Sequence, residues 1–200
     1  MKGRDEIVRD CLIMVQERAF LEGLVAILPD GARVINIGAQ SGCSTIAMLR
    51  GGRDIEDFYL YSIDIRPQPE EMEYALDCGL ADPQRFGQIC QDSKVVGQHW
   101  SEDIHLVFID GDHSYDGCMG DIEAWEPHIV EDGYLVFHDY GYANPSVTQA
   151  VDDWFEEAVR RGWYKIGRVD ISVAFKWGKP DPRLPWHPDT ITGKFMRGVE

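Results

Sequence analysis

Short apolar runs that stop on acidic, glycine or small polar residues recur along the chain. They fall at residues 33–37 (RVINI), 59–65 (YLYSIDI), 86–90 (FGQIC), 104–109 (IHLVFI) and 134–137 (YLVF). Runs of this kind without strict alternation suit strands buried on both faces of a parallel sheet. Between them the spacing turns helical. Residues 4–28 carry Ile7, Cys11, Met14, Val15, Leu21, Leu24, Val25 and Leu28 at roughly helical spacing, predicting one or two helices closed by Pro29, Asp30 and Gly31. Residues 46–49 continue as a helix after a glycine-rich turn, 66–80 read as an acidic helix, and 116–127 as a helix with Ile122 and Trp125 inward. Residues 144–161 form an amphipathic helix through Val147, Ala150, Val151, Trp154, Phe155 and Ala158. Residues 163–168 and 171–177 alternate enough to be two last strands joined at Val169 and Asp170. Strands and helices in alternation predict one α/β domain over residues 1–178. Residues 179–200, with Pro180, Pro182, Pro185 and Pro188 and little periodicity, are expected to be an extended tail.

Composition narrows the function. Hydrophobic content of 44% supplies a core, while 19 Lys and Arg against 35 Asp and Glu leave a net charge of −16. Such a surface repels a phosphate backbone, which argues against a nucleic-acid substrate. The cysteines, Cys11, Cys43, Cys78, Cys90 and Cys118, are odd in number, scattered and never in a Cys-x-x-Cys pair, which argues against a disulfide framework and a zinc site. No apolar run is long enough for a membrane span, and the start MKGRDEIVRD lacks a signal-peptide core. The expectation is a reduced, soluble, cytoplasmic protein.

The chemistry gathers at the ends of the runs. After residue 109 come Asp110, Gly111, Asp112 and His113; after residue 137 come His138, Asp139 and Tyr140. Open α/β sheets bind ligands at the carboxyl ends of their strands. Carboxylates placed there are costly to desolvate unless paired or coordinating a cation. The first run ends in Gly38-Ala39-Gln40-Ser41-Gly42-Cys43-Ser44-Thr45. Glycine lets the backbone turn sharply and approach a ligand, and the helix that follows offers free N–H groups, with Ser44 or Thr45 as the expected cap. Gly-x-x-x-Gly in place of Gly-x-Gly-x-x-Gly disfavours a dinucleotide and favours a nucleoside bearing an amino-acid carboxylate. Asp64, ending the second run, is placed to accept both hydroxyls of a ribose. At each position a plain structural role, a turn, a cap or a mutual ion pair, remains the alternative.

Together VINIGAQSGCST, IDGDHSYDG and FHDY resemble the class I S-adenosylmethionine-dependent methyltransferases, over roughly residues 33–177. The similarity is to the branch of small-molecule O-methyltransferases and proteins related to cephalosporin hydroxylase. It implies a Rossmann-like, seven-stranded, mostly parallel sheet in the order 3-2-1-4-5-7-6, helices on both faces and an antiparallel last hairpin. It implies a cofactor site at Asn36, Gly38, Ala39, Gln40, Ser41, Gly42, Ser44, Thr45, Asp64, Asp92, Ser93, Asp110, Asp112 and His113, with Asp92 and Ser93 beside the adenine. Asn36 departs from the acid usual there. In the cation-dependent relatives the acid matching Asp110 ligates a metal, which suggests Asp110, Asp139 and His138 as ligands for Mg or Mn, although Tyr140 stands where those relatives carry Asn. His113, His138 and Asp110 are the candidate catalytic groups, an imidazole being suited to general-base work near neutral pH. The N-terminal helices would cover the active site, form a homodimer contact, or pack on the sheet.

The implied activity is methyl transfer (EC 2.1.1.-) to oxygen of a small hydroxylated acceptor, a sugar, phenol or natural product, with cation assistance. Two readings compete with it. A methyltransferase fold that only binds is suggested by Asn36 and Tyr140, and a nicotinamide-dependent oxidoreductase is disfavoured by the glycine spacing.

Overall fold

The computed structural model describes residues 11–179. They form a seven-stranded sheet in the order β3-β2-β1-β4-β5-β7-β6. Strands β1 (Arg33–Ile37), β2 (Tyr59–Asp64), β3 (Phe86–Cys90), β4 (Ile104–Ile109) and β5 (Ile129–Phe137) run parallel; β6 (Trp163–Val169) and β7 (Ser172–Trp177) close the sheet antiparallel. The predicted fold class and strand order are the ones observed.

Both faces are covered. Helices α1 (Val15–Val25), α2 (Cys43–Gly51) and α3 (Pro69–Asp77) bury Phe20, Leu21, Met48 and Ala75 against Val34, Leu60, Leu106 and Val136. On the other face α4 (Ser93–Gln98), α5 (Tyr115–Trp125) and α6 (Pro145–Ala158) bring Ile122, Trp125, Val151 and Trp154 against Ile35, Val107, Leu135 and Phe175. Neighbouring residues such as Leu106 and Val107 thus enter opposite cores, which is why the strands read as unbroken apolar runs. Each fully buried large side chain contributes roughly 1.5–3 kcal/mol. Among the described residues no helix is long and apolar enough to cross a membrane.

Four expectations need correction. Strand β5 starts at Ile129, five residues early, and the Glu131-Asp132-Gly133 turn lies inside it: Ile129 pairs with Ile104 and Tyr134 with Leu106, so the extra residues bulge out around Asp132 at φ 70°. The N-terminal helical pattern yields helix only from Val15, with Cys11 to Met14 non-helical; residues 4–10, like the tail from 180 on, lie outside the described residues. The short helix α4 was not anticipated; its core contribution is largely Ser93 and Gly97, too little for an apolar period. Finally, Cys11 and Cys43 form a disulfide while Cys78, Cys90 and Cys118 stay free, contrary to five reduced cysteines. The pair is separated by 32 residues and closed by the packing of α1 on α2, which Cys spacing does not reveal.

Candidate active site

Strands β1, β4 and β5 end in register, Ile37 beside Ile109 and Ile109 beside Phe137. The residues that follow, Gly38, Asp110 and His138, therefore stand side by side at the carboxyl edge of the sheet. They border a cavity of about 780 Å³.

One half of the cavity is the turn from β1 to α2. Gly38 (φ 84°) lies so close to β4 that a Cβ there would collide with the backbone carbonyl of Asp110. Gly42 (φ 86°) caps α2 in the left-handed region, and no side chain caps the helix. The first N–H groups of α2 thus have no side-chain cap where Cys43 and Ser44 border the cavity, and such a helix end suits an anion. Ser44 and Thr45, expected as caps, turn inward instead. Asn36 Nδ2 donates to Ser44 Oγ (3.0 Å) and Thr45 Oγ1 (2.8 Å), and Thr45 in turn donates to Glu71. Glu71, almost fully buried, also accepts from Ser62 Oγ (2.6 Å) and Gln88 Nε2 (2.6 Å). Burial raises its pKa despite those three donors. Asn36, Gly42 and Thr45 consequently stand behind the cavity wall, whereas Gly38, Ala39, Gln40, Ser41 and Ser44 form it.

Asp64 ends β2 at the same wall. Its carboxylate accepts from Gln40 N (3.4 Å) and Arg66 N (3.0 Å), which ties the strand end to the glycine loop. Asp92 and Ser93 lie further along the wall, Asp92 capping α4 through Lys94 N (2.9 Å) and Ser93 donating to Asp121. Asp121, buried on α5 with its pKa raised by desolvation, was not singled out from the sequence, where it looks like one more charge on an acidic helix. Asp112 borders the cavity and accepts from Ser114 N (2.9 Å), a bond that lowers its pKa.

The other half holds the acids and imidazoles. Asp139 sits at φ 58°, a left-handed turn that Asp tolerates, so that His138 and Asp139 both serve the same site although they are adjacent. His113 Nε2 lies 3.0 Å from Asp139 Oδ2 and 3.5 Å from Asp110 Oδ1. Ligating atoms of Asp110, His113 and Asp139 all fall within 4.8 Å of one another. His138 is placed deeper. Its Nδ1 faces Asp110 Oδ1 (3.1 Å) and its Nε2 faces Glu17 Oε2 (3.5 Å), and neither nitrogen makes a well-directed hydrogen bond. Burial opposes charge on this ring, but the carboxylates of Asp110 and Glu17 more than reverse it and raise the pKa to about 10. His113 is raised too, first by Asp110 and against partial burial. Glu17 is fully buried in the first turn of α1 and accepts from Ser172 Oγ (2.7 Å) as well; sequence reasoning had passed over it. Tyr140 takes no part: its hydroxyl donates to Asp152 (2.7 Å) and its ring lies under Lys165 and Arg168.

A family model described as "Methyltransferase domain" matches residues 35–140, just over half of the chain. The chain belongs to the methyltransferase-domain family. An uncharacterized protein, R132 of Acanthamoeba polyphaga mimivirus, is 27% identical over 101 residues, 48% of this chain and 45% of its own length. The chain thus matches less than half of that curated relative. Among solved structures, this methyltransferase-domain chain superposes on the O-methyltransferase NovP with TM-score 0.71 and 16% identity, over 84% of this chain and 82% of that one. An O-methyltransferase from Bacillus cereus in complex with SAH gives 0.62 and 16%, over 82% of each chain. Other similar folds are described as rRNA methylases. At these identities the likeness is one of fold.

Proposed function

We propose that this chain transfers a methyl group from S-adenosylmethionine to an oxygen of a small hydroxylated molecule, with a divalent cation held by Asp110, Asp139 and His113. The observation that carries the reading is the cavity itself, with a glycine turn and an uncapped helix at one end and the Asp110, His113 and Asp139 cluster at the other. The cofactor likeness of relatives crystallised with SAH supports it.

When bound, S-adenosylmethionine would supply an electrophilic methyl on a sulfonium, and the cation would lower the pKa of the acceptor hydroxyl. The chain's own residues position and neutralise. The backbone N–H groups of Ala39, Ser41, Cys43 and Ser44 would face the amino-acid end of the cofactor, those of Gly38, Gln40 and Gly42 being bonded within the chain, and Asp64 would accept from its ribose. Asp110 and Asp139 are hard oxygen ligands suited to Mg or Mn, and His113 tilts the set toward Mn. His138, wedged between Asp110 and Glu17, orients Asp110 and does not compete for the cation. This revises the sequence expectation in which His138 was a ligand and either His113 or His138 the base: the half-exposed His113 is the reachable ring and His138 the buried one. Holding donor and acceptor in line removes most of the entropic cost of the displacement.

Calorimetric titration with S-adenosylhomocysteine, with and without Mn, tests the reading. Micromolar binding that Asp64→Ala abolishes is the expected outcome, together with Mn binding lost in Asp110→Asn. Cofactor binding without any methyl transfer to hydroxylated acceptors would instead favour the fold that only binds, the alternative raised by Asn36.

A further inference from the structure

Residues Cys11 to Met14 run along one side of the cavity before α1 begins. Leu12 and Ile13 line it, Ile13 with only 6% exposure. This strap is fastened at two places. Behind it, Glu17 is buried against His138 and Ser172. In front, Cys11 is joined to Cys43, the first residue of α2, immediately beyond Gly42. Cys43 is itself a wall residue, 3.7 Å from Ser41 Oγ of the glycine turn. A covalent bond therefore links the strap to the element that would hold the cofactor's amino-acid end.

We propose that Cys11 and Cys43 are a thiol–disulfide switch that fastens the strap over the cofactor cavity, so that the disulfide form retains its nucleoside ligand longer than the dithiol form. The inference rests on the cofactor reading of that cavity. The surroundings suit reversible exchange. Cys11 is the half-exposed sulfur and Cys43 the buried one, so an entering thiolate of the glutathione class attacks Cys11 Sγ. The electron pair of the broken S–S bond leaves on Cys43 Sγ, a thiolate at the amino end of α2, where the helix dipole favours negative charge. A second thiolate attacks the external sulfur of the mixed disulfide and expels Cys11 as a thiolate 3.9 Å from Arg18 Nη1. Two external thiols are thereby oxidised to one disulfide, and Cys11 and Cys43 are reduced by the same two electrons. A ligand that meets an already fastened strap loses less chain entropy on binding than one that must order it.

The test uses the full chain, oxidised or reduced, its state fixed by peptide mapping after alkylation, and S-adenosylhomocysteine as probe. Dissociation is expected to be about tenfold slower from the disulfide form, with Cys11→Ser locked at the fast value and Cys90→Ser, a free exposed cysteine, behaving as wild type. Because coupling is reciprocal, the probe should shift the thiol–disulfide midpoint in a glutathione buffer toward the disulfide by the factor by which affinity rises. Failure of Cys11 and Cys43 to pair under oxidation would overturn the switch. Equal probe binding in both states would overturn it too while leaving the cofactor reading intact, and no binding in either state would overturn both.

Discussion

His138 shows how far one side chain can depend on its neighbours. It is 7% exposed, between two carboxylates, and its pKa is raised to about 10 from the ordinary imidazole value. A folded-state pKa above the unfolded one stabilises the fold fully below about pH 6.5, and that contribution disappears as pH climbs through about 10. Wild type should therefore exceed His138→Gln in urea stability at pH 6, and the gap should shrink steadily toward pH 10; a gap that stayed constant would contradict the ion-paired state. Asp110 faces both this ring and the cavity. Asp110→Asn should weaken Mn binding by at least about tenfold, as loss of a charged ligand does, and leave S-adenosylhomocysteine binding nearly unchanged, both read by calorimetry. Asp110 and Asp139 were legible in the sequence because they end apolar strands. Glu17 was not, since a lone acid among charges in a helical pattern looks solvated, and only the strand β7 behind it makes it buried.

Elements explain what the residues alone do not. The β1-to-α2 turn works because Gly38 packs against the main chain of Asp110, so the glycine half and the acidic half of the cavity share one backbone contact. Gly38→Ala should cost roughly 3 kcal/mol or more, a positive φ and a backbone collision together, and it should weaken cofactor and Mn binding alike. The neighbouring network accounts for Asn36. Its amide supplies hydrogens to Ser44 and Thr45, which leaves the Thr45 hydroxyl free to donate to Glu71. An acid at position 36 would compete with Glu71 for that hydrogen across one hydroxyl. Asn36→Asp is thus expected to lose about 1–3 kcal/mol in denaturation, and Glu71→Gln in the same chain should recover part of it; additive losses would deny the coupling. The sequence presented Asn36 as a gap in a cofactor site because its strand position was legible while the partner, on α3 at a distance of 35 residues in sequence, was not.

For the molecule as a whole the decisive quantity is charge. Most strand bounds could be read from apolar runs and glycines, because a doubly covered parallel sheet writes itself into the chain as those runs, whereas the order of the sheet came only from the resemblance of the strand-end motifs to a known family. Which acceptor enters could not, since that depends on where charges meet in space. Part of the net charge of −16 lies at the cavity, whose wall carries Asp64, Asp92, Asp110, Asp112, Asp121 and Asp139 against Arg66 and Lys94. Lys94 is itself paired with Asp92 at 3.4 Å. Such a wall attracts a sulfonium, an ammonium and a divalent cation, and it repels phosphate. Folds similar to this one are described as rRNA methylases, yet RNA binding draws most of its affinity from cations placed against phosphates. The chain is therefore expected to show no retardation of a ribosomal RNA hairpin at roughly 0.1 mM protein and physiological salt, weaker than ordinary non-specific binding. Neutral catechols or sugars should be methylated in preference to their phosphorylated counterparts, and the preference should narrow as added salt screens the wall. Methyl incorporation into RNA, or a phosphorylated acceptor turned over faster than its neutral parent, would show that the acidic wall does not govern what enters.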